Sequence, residues 1–513
     1  MSKKSLCWVL LTVPLLVFAP NTTEAVEYGE LVQKDGQWAF KNTEDPVFKL
    51  MRDTGWITNE RYFEVSGRTG KNWIEPADAV LIRRQSVDWG RYLHTAAHLP
   101  DWIDLGFEQR TRFESYDQPW RSNQVAGNGG TDFQVPLRSI VRFGLGGDGP
   151  FRFLFEGIDS RSFSDGARAD FQNNTSVNEF DVLQLFGSLT LKNVLGTGLR
   201  TDFHFGRFTM DLGKRRLVAR NEFRNTIQAF DGFHWQIGED KLWRIRAFVV
   251  EPVVIQPVRL DEMNSKFFFW GTYLESRHFT WFQFDAYYLG LNDKRGAVAN
   301  RRNISTYGVR LFKEPVVGEM DYEIESGYQT GNTGGRDHVA HFQNAEVGYT
   351  FNAPWTPRLL AQYTYASGDD DPTDDENGSF DRLFGARRFD FNPTGIFGPF
   401  FRSNINTPGW RLILQPGKSV TLQVKHRFWY LAQAEDQFAG NGLRDVTGQS
   451  GSYLGHDVEL RAQWAINRNL GFDVGYMHWF KGSYFDSPAI LVQMPQGGNK
   501  DTDYFYAQAT VRM

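Results

Sequence analysis

From Trp102 to Met513 the chain repeats one pattern, short runs in which apolar and polar side chains alternate. A period of two sends successive side chains to opposite faces of a strand, so each run describes a strand with one apolar and one polar face. In Trp102–Tyr116, Ile103, Leu105, Phe107, Thr111 and Phe113 share one face, while Asp104, Glu108, Arg110, Arg112 and Glu114 share the other. Comparable runs lie at 138–146, 151–159, 182–192, 201–208, 229–237, 243–251, 267–275, 278–289, 305–312, 320–330, 339–351, 358–366, 410–415, 419–431, 456–464, 470–480 and 503–513. The set amounts to about eighteen strands, an even number within the range that closes a bacterial membrane barrel.

The links between the runs are more telling than the runs. Numbered from Trp102, the links after odd strands are long: 117–137, 160–181, 209–228, 252–266, 290–304, 367–409, 432–455 and 481–502, with 331–338 the weakest of the group. Those after even strands are short: Gly147–Pro150, Gly238–Leu242, Ser276-Arg277, Asn352–Pro357, Pro416–Lys418 and Ala465–Asn469. Sandwiches and propellers have no reason to alternate in this way, whereas extracellular loops and periplasmic turns do. The reading is an all-β membrane protein: an antiparallel up-and-down transmembrane β-barrel with long extracellular loops, short periplasmic turns and both barrel ends in the periplasm. The last strand, Asp503–Met513, runs to the final residue, as membrane barrels do, although Met513 stands where an aromatic residue is usual.

Composition agrees. Mean hydropathy is -0.46 and 41% of residues are hydrophobic, which excludes a helical membrane bundle, while 15% are aromatic. Such a chain suits strands that offer lipid only every second side chain, with aromatic girdles at the interfaces. Composition alone also admits a soluble β-rich carbohydrate-binding protein; the alternating links decide against it.

The N-terminus reads as an export leader. Lys3 and Lys4 precede an apolar run, Leu6 to Phe18, and a polar stretch ends at Thr23-Glu24-Ala25. We therefore expect residues 1–25 to be a signal peptide, 26–100 a periplasmic N-terminal extension or a segment tucked into the barrel mouth, and 101–513 the barrel. Cys7, the only cysteine, lies in the leader, so the mature chain has neither disulfide nor thiolate metal site. Loss of Lys3, Lys4 and Glu24 takes 56 basic and 61 acidic residues to 54 and 60, a net charge of -6. Attraction for an anion must then come from local basic clusters.

Those clusters lie on the polar strand faces. Arg110, Arg112, Arg138, Arg142, Arg152, Arg244, Arg246, Arg310, Lys425, Arg427 and Arg461 are joined there by Glu108, Glu156, Asp321, Glu323, Glu325, Asp457 and Glu459. An Arg or Lys turned to lipid at the midplane costs about 2–4 kcal/mol, so these side chains should point into the lumen. For most of them the ordinary role is a lattice of ion pairs holding the wall. The surplus of arginine adds a second role, since guanidinium groups bind carboxylates bidentately and stay charged. The loop after Thr201–Phe208 adds Lys214, Arg215, Arg216, Arg220 and Arg224, at the pore exit or folded back into the lumen.

No catalytic or metal constellation is legible. Gly448-Gln449-Ser450-Gly451 misses the nucleophile-elbow pattern, no His-Glu-x-x-His occurs, and His456 and Asp457 point to opposite faces. Ser367–Ser379 is acidic but lacks a spaced calcium loop and reads as a solvated extracellular tip. Phe389–Phe401 is apolar and could fold over the pore or meet lipid. Trp281, Tyr287, Tyr288, Trp429 and Trp479 are expected in interfacial girdles or strand packing. No cofactor and no nucleic-acid partner are expected.

Several of these stretches carry a family resemblance. Phe205-Gly206-Arg207, Arg216-Leu217-Val218 and Asn225-Thr226-Ile227-Gln228-Ala229-Phe230-Asp231-Gly232 resemble the core motif of the alginate export family. The resemblance continues through Leu383-Phe384, Asn404–Trp410, Lys418–Asp436 with Phe428-Trp429, and Gly455–Phe480, from roughly residue 100 to the end. It implies an outer-membrane barrel that passes an anionic polyuronate through a constriction of arginines with some acidic neighbours. Arg207 matches the Phe-Gly-Arg motif, and Arg138, in Val-Pro-Leu-Arg, matches an inward arginine. The expectation is a passive, electrostatically selective, non-enzymatic exporter of an alginate-like polysaccharide, in contact with outer-membrane lipid and with a periplasmic export or synthesis complex. A general or small-anion porin is the alternative, and a barrel enzyme acting on envelope lipid a third.

Overall fold

The computed structural model describes residues 31–34, 37–40, 97–100, 102–118, 131–146, 150–164, 173–239, 242–279, 281–388, 390–393, 398–417, 420–439, 442–466, 470–494 and 498–512. The expected leader lies outside the described residues, as does nearly all of the expected extension. Within the latter, Leu31–Lys34 and Gln37–Phe40 pair as an antiparallel hairpin.

The barrel strands are β1 (Ile103–Asp117), β2 (Thr131–Leu145), β3 (Phe151–Ser164), β4 (Asn178–Leu191), β5 (Arg200–Phe208), β6 (Phe230–Glu239), β7 (Trp243–Pro252), β8 (Phe267–Ser276) and β9 (Gln283–Asp293). They continue with β10 (Arg302–Lys313), β11 (Met320–Thr333), β12 (Arg336–Thr350), β13 (Arg358–Ala366), β14 (Ile405–Gly417), β15 (Val420–Tyr430), β16 (Tyr453–Ala465), β17 (Leu470–Lys481) and β18 (Thr502–Arg512). Each of the eighteen pairs antiparallel with the next, and β18 returns to β1 through Tyr504↔Tyr116 and Arg512↔Glu108. Closure leaves no edge strand, the condition for a sheet in lipid, where an open edge has no water to bond.

The alternation predicted from sequence is the alternation of the wall. Along β1, Glu108, Arg110, Arg112, Glu114 and Tyr116 are buried inside, while Phe113 is exposed outside. Polar residues go inward because the lumen supplies ion-pair partners and the bilayer does not. Several strands run longer than their apolar signal: β2 begins at Thr131 and β14 at Ile405, where periodicity had marked 138 and 410.

Two expectations are corrected. The link at 331–338 is no long loop but a two-residue turn, Gly334-Gly335, with φ of 66° and 92° that only glycine adopts freely. Among the aromatic residues expected in girdles or strand packing, Trp281 is exposed on the β8–β9 link, but Trp429 and Trp479 are fully buried inside the barrel. Phe400 stacks on Trp429 with ring centroids 3.7 Å apart, and Phe438 and Phe485 pack around Trp479. The described part of Phe389–Phe401 therefore folds inward.

Candidate constriction inside the barrel

Of the long links that turn inward, two meet across the lumen. The first, 209–229, leaves β5 and turns in because Met210, Leu212, Leu217, Val218 and Ala219 find an apolar bed against Phe208, Phe230 and Phe269. The second, 367–404, leaves β13 and buries Phe380, Phe391 and Phe400. They start eight strands apart in a ring of eighteen, so their meeting spans the lumen. Val218 and Phe384 form a parallel β-bridge. The Ala219 amide donates to Phe384 O (3.1 Å), the Phe384 amide to Leu217 O (2.9 Å) and the Ala386 amide to Arg215 O (2.8 Å). Gly385 permits the approach, since a Cβ there would lie 1.7 Å from Arg216 O.

Arg216 locks this crossbar to the wall. Its guanidinium donates to Glu323 and Glu325 of β11 and, at 2.8 Å, to Asp390 of the second loop. Asp390 also accepts from Arg402, which donates to Ala386 O (2.7 Å) and Arg216 O (3.2 Å). Burial alone would raise the Asp390 carboxyl, but Arg216 and Arg402 outweigh it and hold it well below the usual carboxylate range. Burial likewise opposes the Arg216 charge, and Asp390, Glu323 and Glu325 outweigh that too.

Most of the arginines marked from sequence turn inward and are paired. Arg110 donates to Glu222 O (2.6 Å), Arg224 O (3.1 Å) and Asn225 Oδ1 (2.8 Å). Arg112 donates to Phe223 O (2.6 Å), and Arg138 to Glu222 O (3.1 Å) and Glu108 (2.8 Å). These three hold the return limb of the first loop by its backbone carbonyls. Arg246 does the same at Asp211 O (2.9 Å), and Arg427 bonds Thr407 O (3.1 Å). Arg142 pairs with Asp104 (3.0 Å), Arg244 with Glu275, Arg461 with Asp473 (2.9 Å), and Arg310 with Asp285 (2.8 Å) and Glu323 (3.0 Å). Arg152 is half-buried near the short-turn end.

Arg207 is the exception in direction. On β5, Asp202, His204 and Phe208 are buried inside, so Arg207 shares the outward side of Phe203 and Phe205. It sits one residue from the long-loop end and pairs bidentately with Asp231 of β6 (2.8 and 2.9 Å). As a lumen residue it is therefore corrected: its charge lies on the outer face, where the Asp231 carboxylate answers it.

Arg224 and Arg382 are different. Both are water-accessible, and among the described residues neither guanidinium makes a hydrogen bond or an ion pair. Arg382 lies 3.8 Å above the Phe401 ring centroid, and Arg387 3.9 Å from the same centroid. Burial lowers Arg224 to about 10; burial, with Arg224 nearby, lowers Arg382 to about 10. Both remain cationic at neutral pH. Arg382 was not marked from sequence because its loop has no periodicity, although it directly precedes the Leu383-Phe384 motif. Among the described residues no group of three His, Cys, Asp or Glu side chains is placed to hold a metal ion.

The alginate export sequence pattern matches residues 101–490, which span β1–β17 and both inward loops and stop short of β18. The chain belongs to the alginate export family. No curated protein sequence matches it. In fold, this alginate-export barrel is similar to Pseudomonas aeruginosa OccK5 (OpdH), with 11% identity over 80% of this chain and 98% of that one and a TM-score of 0.53. It is also similar to OccD3 (OpdP), 11% identical over 80% and 91% with a TM-score of 0.53, and to OpdQ, 13% identical over 80% and 97% with a TM-score of 0.52, from the same organism. Family and fold make it an outer-membrane channel and point to transport rather than catalysis.

Proposed function

We propose that this channel exports an anionic, alginate-like polysaccharide, and that its electrostatic selectivity resides in Arg224 and Arg382 rather than in the arginines of the wall. The observation that carries the reading is the contrast in pairing. Wall arginines spend their charge on carboxylates and loop carbonyls, whereas these two meet the passage with their donors open. A polymer carboxylate arriving between them gains charge-assisted hydrogen bonds from donors that no internal hydrogen bond occupies. Because each cation stays partly open to water, each contact is weak, and the chain slides on instead of lodging. Energy comes from synthesis or from a periplasmic complex. Residues 1–25 serve as a cleaved export signal and 26–100 as a periplasmic extension.

Planar-bilayer recording tests the reading. Anion selectivity with block by polyuronate and none by neutral dextran supports it; an unselective pore, or equal block by both polymers, sinks it. A small-anion porin is the second reading, favoured by the crossbar that occupies the lumen. It predicts anion selectivity without polyuronate block.

A further inference from the structure

Arg382 directly follows Asp381 in the chain, yet among the described residues the two side chains form no ion pair. A carboxylate beside an unpaired guanidinium in a partly buried site ordinarily closes on it, since the attraction grows as water is excluded. Here the Asp381 carboxylate is already engaged. Arg302, the first residue of β10, donates to it at 2.8 Å, and the Leu383 amide donates at 2.8 Å. Burial would raise this carboxyl, but Arg302 and the Leu383 amide outweigh it and hold it below its ordinary value.

The backbone of Asp381 is held as closely as its side chain. Gln329 of β11, fully buried, accepts from the Asp381 amide (2.8 Å) and donates to the Asp381 carbonyl (2.8 Å). Its amide nitrogen also donates to Thr306 Oγ1 of β10 (3.1 Å), so both of its protons are used. His338 of β12 meets Gln329 Oε1 through Nε2 (3.2 Å). That oxygen can only accept, so Nε2 carries the proton and Nδ1 accepts from the Thr333 hydroxyl (3.1 Å). Strands β10 and β11 therefore grip Asp381 directly, and β12 steadies the grip through Gln329.

Arg302 also donates to Asp293 of β9 (2.8 Å), but Asp293 has a second cation, Arg295, at 2.8 and 2.9 Å. Without Arg302, Asp293 stays paired and Asp381 keeps only a backbone amide on its carboxylate. The cation next to it in the chain is then Arg382, whose guanidinium rests on the Phe401 ring with its donors open. We propose that Arg302 and Gln329 are positioning residues for selectivity: by holding Asp381 they keep its carboxylate off Arg382 and leave that cation to the polymer. The inference rests on the assignment of selectivity to Arg224 and Arg382, and adds to it the residues that keep one of the two cations open.

A double-mutant cycle on the full-length protein, read as reversal potential in planar bilayers, tests it. Arg302→Gln should lower the anion-to-cation permeability ratio by about twofold, as Arg382→Gln does, with heat-modifiable migration retained. Asp381→Asn should leave the ratio unchanged in the native background and restore it fully in the Arg302→Gln background. An equal rise from Asp381→Asn in both backgrounds would reduce the pair to the general field of the lumen and overturn the proposal. Gln329→Leu gives an arm without a change of charge, and serves alone where Arg302→Gln does not insert: its ratio should also fall and be restored by Asp381→Asn, and an unchanged ratio there overturns the proposal. A ratio lowered by Arg382→Gln but not by Arg302→Gln removes the positioning role alone, whereas no change in Arg382→Gln sinks the assignment beneath it and the proposal together.

Discussion

At the scale of the residue, a buried arginine and a useful arginine are different things. Arg310 lies between Asp285 and Glu323 and Arg138 against Glu108, and each is already neutralised where it stands. Arg224 and Arg382 are not, so substitution there acts on the passage and not on the wall. Arg224→Gln with Arg382→Gln should lower the anion-to-cation permeability ratio by roughly fivefold, on the order of 1 kcal/mol, measured as a reversal-potential shift across a salt gradient. Arg207→Glu should leave that ratio unchanged, because its side chain lies outside against Asp231. The pH dependence has a definite sign. A base whose pKa is lowered to about 10 loses its charge earlier as pH rises, so selectivity should hold from neutral pH to about 9 and fall between about 9 and 11. An unperturbed arginine would keep it to far higher pH. Direction was legible at this scale and pairing was not. Parity along β1 assigns Arg110 and Arg112 inward correctly. The same parity, applied to Phe203 and Phe205, would have turned Arg207 outward. Nothing in the sequence distinguishes Arg224 from Arg220, since their difference is that Glu156 lies 3.3 Å from one and no carboxylate from the other.

At the scale of the element, the strands were legible because lipid enforces period two on every one of them. The inward loops were not, because their apolar residues follow the contour of a cavity and keep no period. Met210, Leu212, Leu217 and Val218 read as an ordinary loop until the lumen is there to receive them. The resemblance marked both Arg216-Leu217-Val218 and Leu383-Phe384 without revealing that they touch. That contact is testable. Arg216→Ala leaves buried Glu325 without its cation, Glu323 to Arg310 and Asp390 to Arg402, a loss of about 3–5 kcal/mol. The barrel should still migrate as heat-modifiable, but the 209–229 loop should become cleavable by added protease and single-channel conductance should increase. Gly385→Ala should produce the same phenotype without removing a charge, because its methyl group meets the Arg216 carbonyl. Unchanged protease resistance in both variants would mean that the crossbar does not depend on this contact.

At the scale of the whole molecule, two kinds of electrostatics coexist and salt separates them. The lattice of buried pairs, such as Lys425 with Glu459 (2.5 Å), is shielded from bulk ions. The open cations are not. Raising salt from 0.1 to 1 M shortens the screening length from about 10 to about 3 Å. Block by polyuronate should therefore weaken at least tenfold across that range, while the barrel's resistance to unfolding in detergent stays nearly constant. A parallel decline of both would show that the passage and the wall draw on the same charges.

The crossbar has a mechanical consequence. A ring of hydrogen-bonded strands resists stretching along its circumference but yields readily to being squeezed into an oval. A strut hydrogen-bonded at Val218 and Phe384 and anchored to the wall through Arg216 removes that soft mode along one diameter. Lateral pressure in the membrane then changes the bore far less than in an empty hoop, and the width presented to a passing chain becomes a property of the protein rather than of the bilayer around it.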